Sequence, residues 1–253
     1  MERKVRTEEK VQELFHAHAA GEEGTDPEFM QILQRFIFGD VCCTGSLDNR
    51  MRELVTVTVL TVLSALPQLK AHVQACLNVG CTPVEIRETV YQCAPFIGFP
   101  KTLNGISAMN EVFLENGIHL PLPKQGTVSA DTERYEKGLE IQEPIYGTEI
   151  KERYAYLPAE FGQAVPRFLT ELGFGDFGAR TGLDRKTREL LTVAMLAAMG
   201  DAELQVKSHV FGALKAGNTK EEVVCALVHA CGYMGFPRLF NALNACRELL
   251  EQN

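Results

Sequence analysis

Apolar residues fall in long runs along the chain, and short polar turns separate these runs. Residues 190–199 are rich in helix formers and apolar on every side, which predicts a buried helix. Residues 55–59 alternate like a strand and are β-branched throughout. An internal repeat, described below, matches residues 55–59 to residues 191–195. Because two copies of one domain should share a fold, a helix is predicted for both segments.

Residues that favour helix starts mark the remaining elements. Three further helices are predicted, over 7–20, 26–36 and 131–142. Their expected caps are Thr7, Asp26 and either Asp131 or Thr132. Thr82 and Thr219 each precede a glutamate by three residues, which is the spacing of a capping box. No convincing strand remains, so the predicted fold class is all-α.

The repeat divides the chain into two units. Three short motifs recur 136 or 137 residues apart, namely Phe-Gly-Asp at 38–40 and 174–176, Arg-Glu-Leu at 52–54 and 188–190, and Gly-Phe-Pro at 98–100 and 235–237. This distance is about the length of a small domain and far exceeds that of solenoid repeats. We therefore predict a tandem duplication, with a first helical domain over 1–120, a linker over 121–130 and a second helical domain over 131–253.

Composition and charge narrow the functional classes. The chain of 253 residues is 45% hydrophobic and 23% charged, as expected of a globular protein. Its net charge of −8 argues against a nucleic acid or an anionic membrane as partner. The longest apolar run, 54–66, is shorter than the roughly 20 residues of a membrane helix. No secretory signal is visible and the eight cysteines lack paired spacing, so a cytoplasmic protein with reduced thiols is expected.

Two acid–imidazole pairs are the leading chemical candidates. His72 and His209 are the histidines that keep their place across the repeat, and they follow Glu53 by 19 and Glu189 by 20 residues. A carboxylate beside an imidazole suits proton transfer. In a plain helical hairpin the two groups would lie far apart along their helices. They meet only if the helices cross steeply or if one side chain comes from another subunit.

A purely structural interpretation remains open beside the catalytic one. In it, each glutamate pairs with the arginine before it, Arg52 or Arg188, and each histidine closes a hydrogen bond between helices. Other candidates carry weaker signals: Cys42 next to Cys43, Cys225 four residues before His229, and His16 two residues before His18. For these, buried packing or surface exposure is the favoured interpretation. No metal-binding motif is present in the sequence.

The ordered motifs resemble one known family. Their order resembles that of the carboxymuconolactone decarboxylase family. The order is Phe-Gly-Asp, Gly-Leu-Asp, Arg-Glu-Leu, a histidine, Gly-x-Thr with a glutamate three residues after the threonine, and Gly-Phe-Pro. The second copy fits this pattern over 173–250 and the first over 38–113. The resemblance implies an all-helical fold whose single domains form trimers or hexamers. A fused pair then implies a homo-oligomer, expected to be a trimer of this chain or a related closed ring.

The family has a peroxidase and a decarboxylase branch. The peroxidase branch, which contains alkylhydroperoxidase D-like proteins, carries a Cys-x-x-Cys pair. The corresponding positions here are Ala65 and Gln68 in the first copy and Ala202 and Gln205 in the second. Without a thiolate there is no peroxidatic nucleophile at this site. The resemblance therefore implies the decarboxylase branch: cofactor-free loss of carbon dioxide from a small carboxylated lactone or oxo acid.

The same resemblance implies roles for particular residues. His72 and His209 would be general acid/base groups, and Glu53 and Glu189 would relay or tune their protons. Phe99 and Phe236 would shape the pocket wall. The basic residues that the family carries after its opening helix are absent here, so Arg52 and Arg188 are the candidates to supply charge for a substrate carboxylate. No cofactor and no metal are expected. Two alternatives stay open: a thiol peroxidase that uses cysteines outside the motif, such as Cys42 and Cys43, and a non-catalytic oligomeric binding module.

Overall fold

Helices are the only regular secondary structure in the part of the chain that the computed structural model describes, residues 2–251, which contains no β-strand. The outermost residues of the two predicted domains, Met1, Gln252 and Asn253, lie outside this range. The helices of the first half are α1 (Arg3–Phe15), α2 (Pro27–Gln34), α3 (Asn49–Leu63), α4 (Leu66–Asn78), α5 (Pro83–Tyr91), α6 (Ala94–Ile97) and α7 (Phe99–Glu115). Those of the second half are α8 (Arg134–Tyr146), α9 (Ile150–Arg153), α10 (Phe161–Phe168), α11 (Arg185–Met199), α12 (Glu203–Lys215), α13 (Lys220–Met234) and α14 (Phe236–Glu251). The all-α class is confirmed.

The two repeated apolar helices form the centre of the core. α3 and α11 pack against each other, and every side chain over 52–62 and over 188–198 is buried. The helix predicted for 55–59 is confirmed, because burial on all sides outweighs the β-branched local preference. Its threonines keep their hydroxyls satisfied inside the helix: Thr56 and Thr58 each donate to the carbonyl four residues earlier.

Local start signals were reliable where a capping box was present. Thr82 and Thr219 both cap their helices in the predicted reciprocal manner. The cap predicted at Thr7 is wrong, because this residue is buried within α1 and donates to the carbonyl of Arg3. Asp26 precedes α2 but makes no capping hydrogen bond to it. A short 3-10 turn spans Asp131–Glu133, so α8 begins at Arg134. The residue at its N-cap position is therefore Glu133 and not Asp131 or Thr132.

The repeated Phe-Gly-Asp motif docks the opening helix of each half. It lies in wide π-helical turns, Arg35–Asp40 and Leu169–Gly178. A Cβ atom on Gly39 would collide with the Thr7 hydroxyl, and one on Gly175 with the carbonyl of Arg134, so the glycines permit close contact. The aspartates that follow them form ion pairs with Arg3 of α1 and Arg134 of α8. The motif thereby fixes the position of α1 and α8.

Within residues 2–251, no helix combines the length and the apolar character that crossing a membrane requires.

Candidate functional site

The first acid–imidazole pair is a direct, buried hydrogen bond. Glu53 lies near the start of α3 and His72 in the middle of α4, and Nδ1 of His72 is 2.7 Å from Oε2 of Glu53. The glutamate side chain is 1% exposed and the histidine side chain 8%. Because a carboxylate only accepts, the ring donates through Nδ1. Its Nε2 has no hydrogen-bond partner among the described residues, so this nitrogen is available to an incoming molecule.

Two aromatic rings enclose His72 from opposite halves of the chain. Phe15, the last residue of α1, meets the imidazole edge-on with 5.4 Å between ring centroids. Tyr233 on α13 does the same at 5.3 Å. The tyrosine hydroxyl is buried and has no partner within residues 2–251. The first pair therefore lies at the junction of the two copies, and the second copy supplies part of its wall.

A second buried histidine lies behind Tyr233. Nε2 of His229 is 2.8 Å from the Thr56 hydroxyl. That hydroxyl donates its proton to the carbonyl of Arg52, so His229 must donate through Nε2. Its Nδ1 is then a buried acceptor with no donor in the described chain. Burial, together with the nearby charge of Arg52 and His72, lowers the pKa of His229 to about 3, so the ring is neutral.

The second acid–imidazole pair contains an additional hydroxyl. Nδ1 of His209 on α12 is 3.1 Å from Oε2 of Glu189 on α11. The hydroxyl of Tyr146 donates to the same carboxylate oxygen at 2.5 Å and lies 2.7 Å from Nδ1 of His209. Burial and the charge of Glu189 raise the pKa of Tyr146 far above its ordinary value, which keeps the phenol protonated. The glutamate is thus shared between a tyrosine and a histidine.

The two sites follow one plan with different side chains. Tyr146 ends α8 as Phe15 ends α1, and both rings pack against the histidine of their own half. Phe96 of the first half lies 5.7 Å from the ring of His209, in the place that Tyr233 occupies at the first site. Each histidine is therefore held between its own opening helix and an aromatic residue of the other half.

The structure brings together the residues that the repeat pairs. Glu53 contacts His72 and Glu189 contacts His209 within one chain, without a second subunit. The structural interpretation in which each glutamate binds the arginine before it does not match these contacts. The side chains of His72 and His209 are 8% and 17% exposed, so neither ring is fully sealed from solvent.

The residues predicted to bind substrate lie elsewhere or are already occupied. Arg52 donates to the carbonyls of Leu47, Val41 and Thr44, and Arg188 binds Glu88 and two carbonyls. These contacts give no support to a role for either arginine in holding a substrate carboxylate. Phe99 and Phe236 are 53% and 50% exposed at the starts of α7 and α14. Neither contacts the histidine of its own half through a ring pair.

The surroundings of the candidate cysteines and of His229 favour a structural role over a reactive or metal-binding one. All eight cysteines are free, and burial raises the pKa of Cys42 to about 12, which disfavours a reactive thiolate. The sulfur of Cys225 accepts from Arg52 at 3.3 Å, so it does not share a ligand set with His229. The described residues contain no group of three or more His, Cys, Asp or Glu side chains placed to hold a metal ion.

Sequence reasoning missed the aromatic residues that complete the two sites, and it treated His229 only as a packing residue beside Cys225. Tyr146 and Phe15 are 131 residues apart, whereas the other repeated motifs are 136 or 137 apart, so an uninterrupted comparison does not align them. A separate alignment of α1 with α8, each of 13 residues, would have revealed this pair. Tyr233 and Phe96 are at the repeat distance, but only packing between halves shows that each contacts the other half's histidine.

Comparisons with known proteins agree with this architecture. A sequence model described as the carboxymuconolactone decarboxylase family matches residues 27–111 and 163–248. The chain is 30% identical to a 4-carboxymuconolactone decarboxylase of Acinetobacter baylyi over 48% of this chain and 90% of that protein. It is also 30% identical to a nitrosuccinic acid decarboxylase of Metarhizium robertsii over 43% of this chain and 76% of that protein.

A solved structure shows the same fold over nearly the whole length. It is described as a candidate gamma-carboxymuconolactone decarboxylase subunit of Burkholderia xenovorans, with a TM-score of 0.52, 20% identity and 98% of each chain covered. The two family matches fall in the two halves that the internal repeat defines. On these grounds the chain belongs to the carboxymuconolactone decarboxylase family, as a member with two copies of the domain in tandem.

Proposed function

We propose that the protein is a cofactor-free decarboxylase that acts on a small carboxylated lactone or oxo acid. One observation carries this proposal: a buried carboxylate holds Nδ1 of His72 and leaves Nε2 without a partner in the described chain. That arrangement fixes the tautomer and orientation of the ring. The ring is thereby suited to deliver a proton to one defined position.

The proposed reaction has two steps. The bond between the substrate carbon and its carboxylate breaks, carbon dioxide leaves, and the electron pair passes into the neighbouring lactone or oxo group. The imidazolium of His72 then gives its Nε2 proton to the carbon that lost the carboxylate. Glu53 retains the Nδ1 hydrogen bond throughout, and the neutral ring takes up a proton from solvent before the next cycle. His209 and Glu189 would act in the same way at the second site.

The names of the relatives support this class of reaction. One is a decarboxylase of a carboxylated lactone, and the other is a decarboxylase of a nitro-substituted dicarboxylic acid. In both kinds of substrate an electron-withdrawing group can accept the negative charge that remains after carbon dioxide leaves. Stabilisation of that charge and a positioned proton donor are sufficient for the chemistry, so the proposal includes no cofactor.

We also propose that the chain works as a homo-oligomer, with a trimer as the expected state. Apolar side chains at matching positions of the two copies remain exposed, with Phe99 and Leu103 on α7 and Phe236 and Phe240 on α14. Their exposed fractions are 53%, 61%, 50% and 54%. Large exposed apolar surface is typical of protein–protein contacts. Sedimentation equilibrium would measure the oligomeric state directly.

A substrate screen tests the proposed activity. Carboxylated lactones, oxo acids and nitro acids are offered to the protein and the release of carbon dioxide is measured. For any confirmed substrate, we expect the double variant His72→Gln/His209→Gln to lower kcat by roughly 100-fold or more, whereas each single variant removes only the turnover of its own site. His18→Gln, which changes an exposed histidine, is the matched control and should leave kcat unchanged.

The outcome separates the competing functions. If His72→Gln, His209→Gln and the double variant all keep full turnover, the proposed proton-transfer roles are wrong. Rapid consumption of peroxide that alkylation abolishes would favour the thiol peroxidase. Absence of turnover with every acid, together with tight binding of a small molecule, would favour the binding module.

A further inference from the structure

A cleft of about 610 Å³ lies beside the linker, away from both acid–imidazole pairs. Residues 120–122, 124–126 and Val128 form one of its walls, and the other walls include Arg87 and Tyr91 of α5 and Arg180 of the second half. Its lining contains none of His72, His209 or their glutamates. This volume falls within the range of small-molecule sites.

An excess of positive charge surrounds one buried carboxylate at this cleft. Glu88 is fully buried and forms ion pairs with three guanidinium groups, those of Arg87 at 3.1 Å, Arg180 at 2.8 Å and Arg188 at 3.3 Å. Within residues 2–251 it is the one carboxylate at ion-pair distance from these arginines. Their side chains are 8%, 18% and 9% exposed, so two uncompensated positive charges lie largely out of solvent. Such a cluster is costly unless an anion joins it.

Three cationic nitrogens along the cleft are free to donate hydrogen bonds to a ligand. Nη1 of Arg87, Nη1 of Arg180 and Nζ of Lys124 make no hydrogen bond to any described residue, although all three side chains line the cleft. The two guanidinium groups lie over the ring of Tyr91, at 5.5 and 5.3 Å from its centroid. This stacking and Glu88 hold both guanidinium groups in place. Their donors are thus fixed before any ligand arrives.

The matching junction on the other side of the repeat shows that the fold does not require this cluster. The repeat matches Arg87 to Val224, Glu88 to Cys225 and Arg180 to Thr44. All three counterparts are uncharged side chains, and Arg52 there is satisfied by carbonyl groups and the sulfur of Cys225. The charged cluster therefore lies at one of two matching junctions between the halves, and the other junction lacks its carboxylate and two of its arginines.

We propose that this cleft binds a small anion that carries two or more carboxylate or phosphate groups. Arg87 and Arg180 would hold one anionic group with their free Nη1 donors, and Lys124 would neutralise a second group at the exposed edge. The site is separate from the proposed decarboxylation and does not depend on it. Its ligand class follows from the charge excess and from the size of the cleft.

Isothermal titration calorimetry tests the proposal with two probes, pyrophosphate and the tricarboxylate tricarballylate. We expect saturable binding of at least one probe to the intact protein, and the stronger of the two identifies the preferred anionic group. Lys124→Gln and Arg180→Met should each weaken that binding by about tenfold. Glu88 keeps two arginine partners in Arg180→Met, and Lys124→Gln changes an exposed residue, so folding is preserved in at least one variant.

The matched control is Lys4→Gln, which removes the same charge from the exposed surface of α1. It should leave binding unchanged. Equal weakening in Lys4→Gln and Lys124→Gln would mean that the anion senses only the overall charge, which overturns the proposal. Absence of saturable binding of both probes at millimolar concentration would overturn it as well. Neither result bears on the release of carbon dioxide, so failure of this site and failure of the proposed enzyme are distinguishable.

Discussion

Acid sensitivity of the fold is expected to depend on His229. This ring is fully buried, donates to Thr56, and has a pKa lowered to about 3 by burial and by the charge of Arg52 and His72. In the unfolded chain its pKa returns to the ordinary value of about 6.5. Between these two values the unfolded chain binds a proton that the folded protein excludes. Stability is therefore complete above pH 6.5 and is lost progressively as the pH falls towards 3.

The size of the effect follows from the same two values. Each pH unit below 6.5 removes about 1.4 kcal/mol from the free energy of unfolding, so at pH 4.5 the loss from this residue is about 3 kcal/mol. The matched variant is His229→Gln, because the corresponding residue of the other half is Gln92 and the fold accommodates an amide there. Other groups titrate alike in both proteins and cancel when the two are compared.

Urea denaturation at pH 7.0 and pH 4.5 measures the difference. The native protein is expected to lose about 3 kcal/mol more between these pH values than His229→Gln does. His16→Gln, at an exposed position, should lose as much as the native protein. If His229→Gln shows the same acid-induced loss as the native protein, the ring is not held neutral by its surroundings and the reasoning fails.

Three further substitutions test individual contacts by urea denaturation. Thr219→Ala removes one half of a capping box and should lower the free energy of unfolding by about 1 kcal/mol; an unchanged value would contradict the observed cap. Gly175→Ala forces a methyl group against the carbonyl of Arg134 and should cost about 2 kcal/mol, whereas Gly173→Ala in the same turn meets only ordinary contact and should cost clearly less. Tyr146→Phe deletes a hydroxyl that donates to a buried carboxylate and should cost about 2 kcal/mol; a stabilised variant would refute that bond.

Features that depend on neighbouring residues in the chain were predictable from the sequence. The capping boxes at Thr82 and Thr219 need only a threonine and a glutamate three residues later, and both form as expected. The acid–imidazole pairs were predictable because the duplication repeats both members. The helix at 55–59 required the second copy, since its own β-branched residues favour a strand.

Features that depend on contacts between distant residues were not predictable in this way. Tyr146 reaches the second site because α8 packs on the wide turn around Gly175. No local sequence pattern predicts the position of that helix. The start of α1 was predicted four residues too late because Thr7 resembles a cap. Its hydroxyl instead donates to the carbonyl of Arg3 within the helix. The contacts of Arg52 were not predictable because the carbonyls that surround it come from a loop whose path the sequence does not reveal.

Each histidine is flanked by an aromatic residue from the opposite copy, and this has an evolutionary consequence. In a symmetric pair of identical subunits, one mutation alters both histidine sites at once, so neither can be changed without the other. Fusion of the two copies into one polypeptide removes that constraint. The phenylalanine that ends one opening helix and the tyrosine that ends the other show that the two sites have already diverged in sequence.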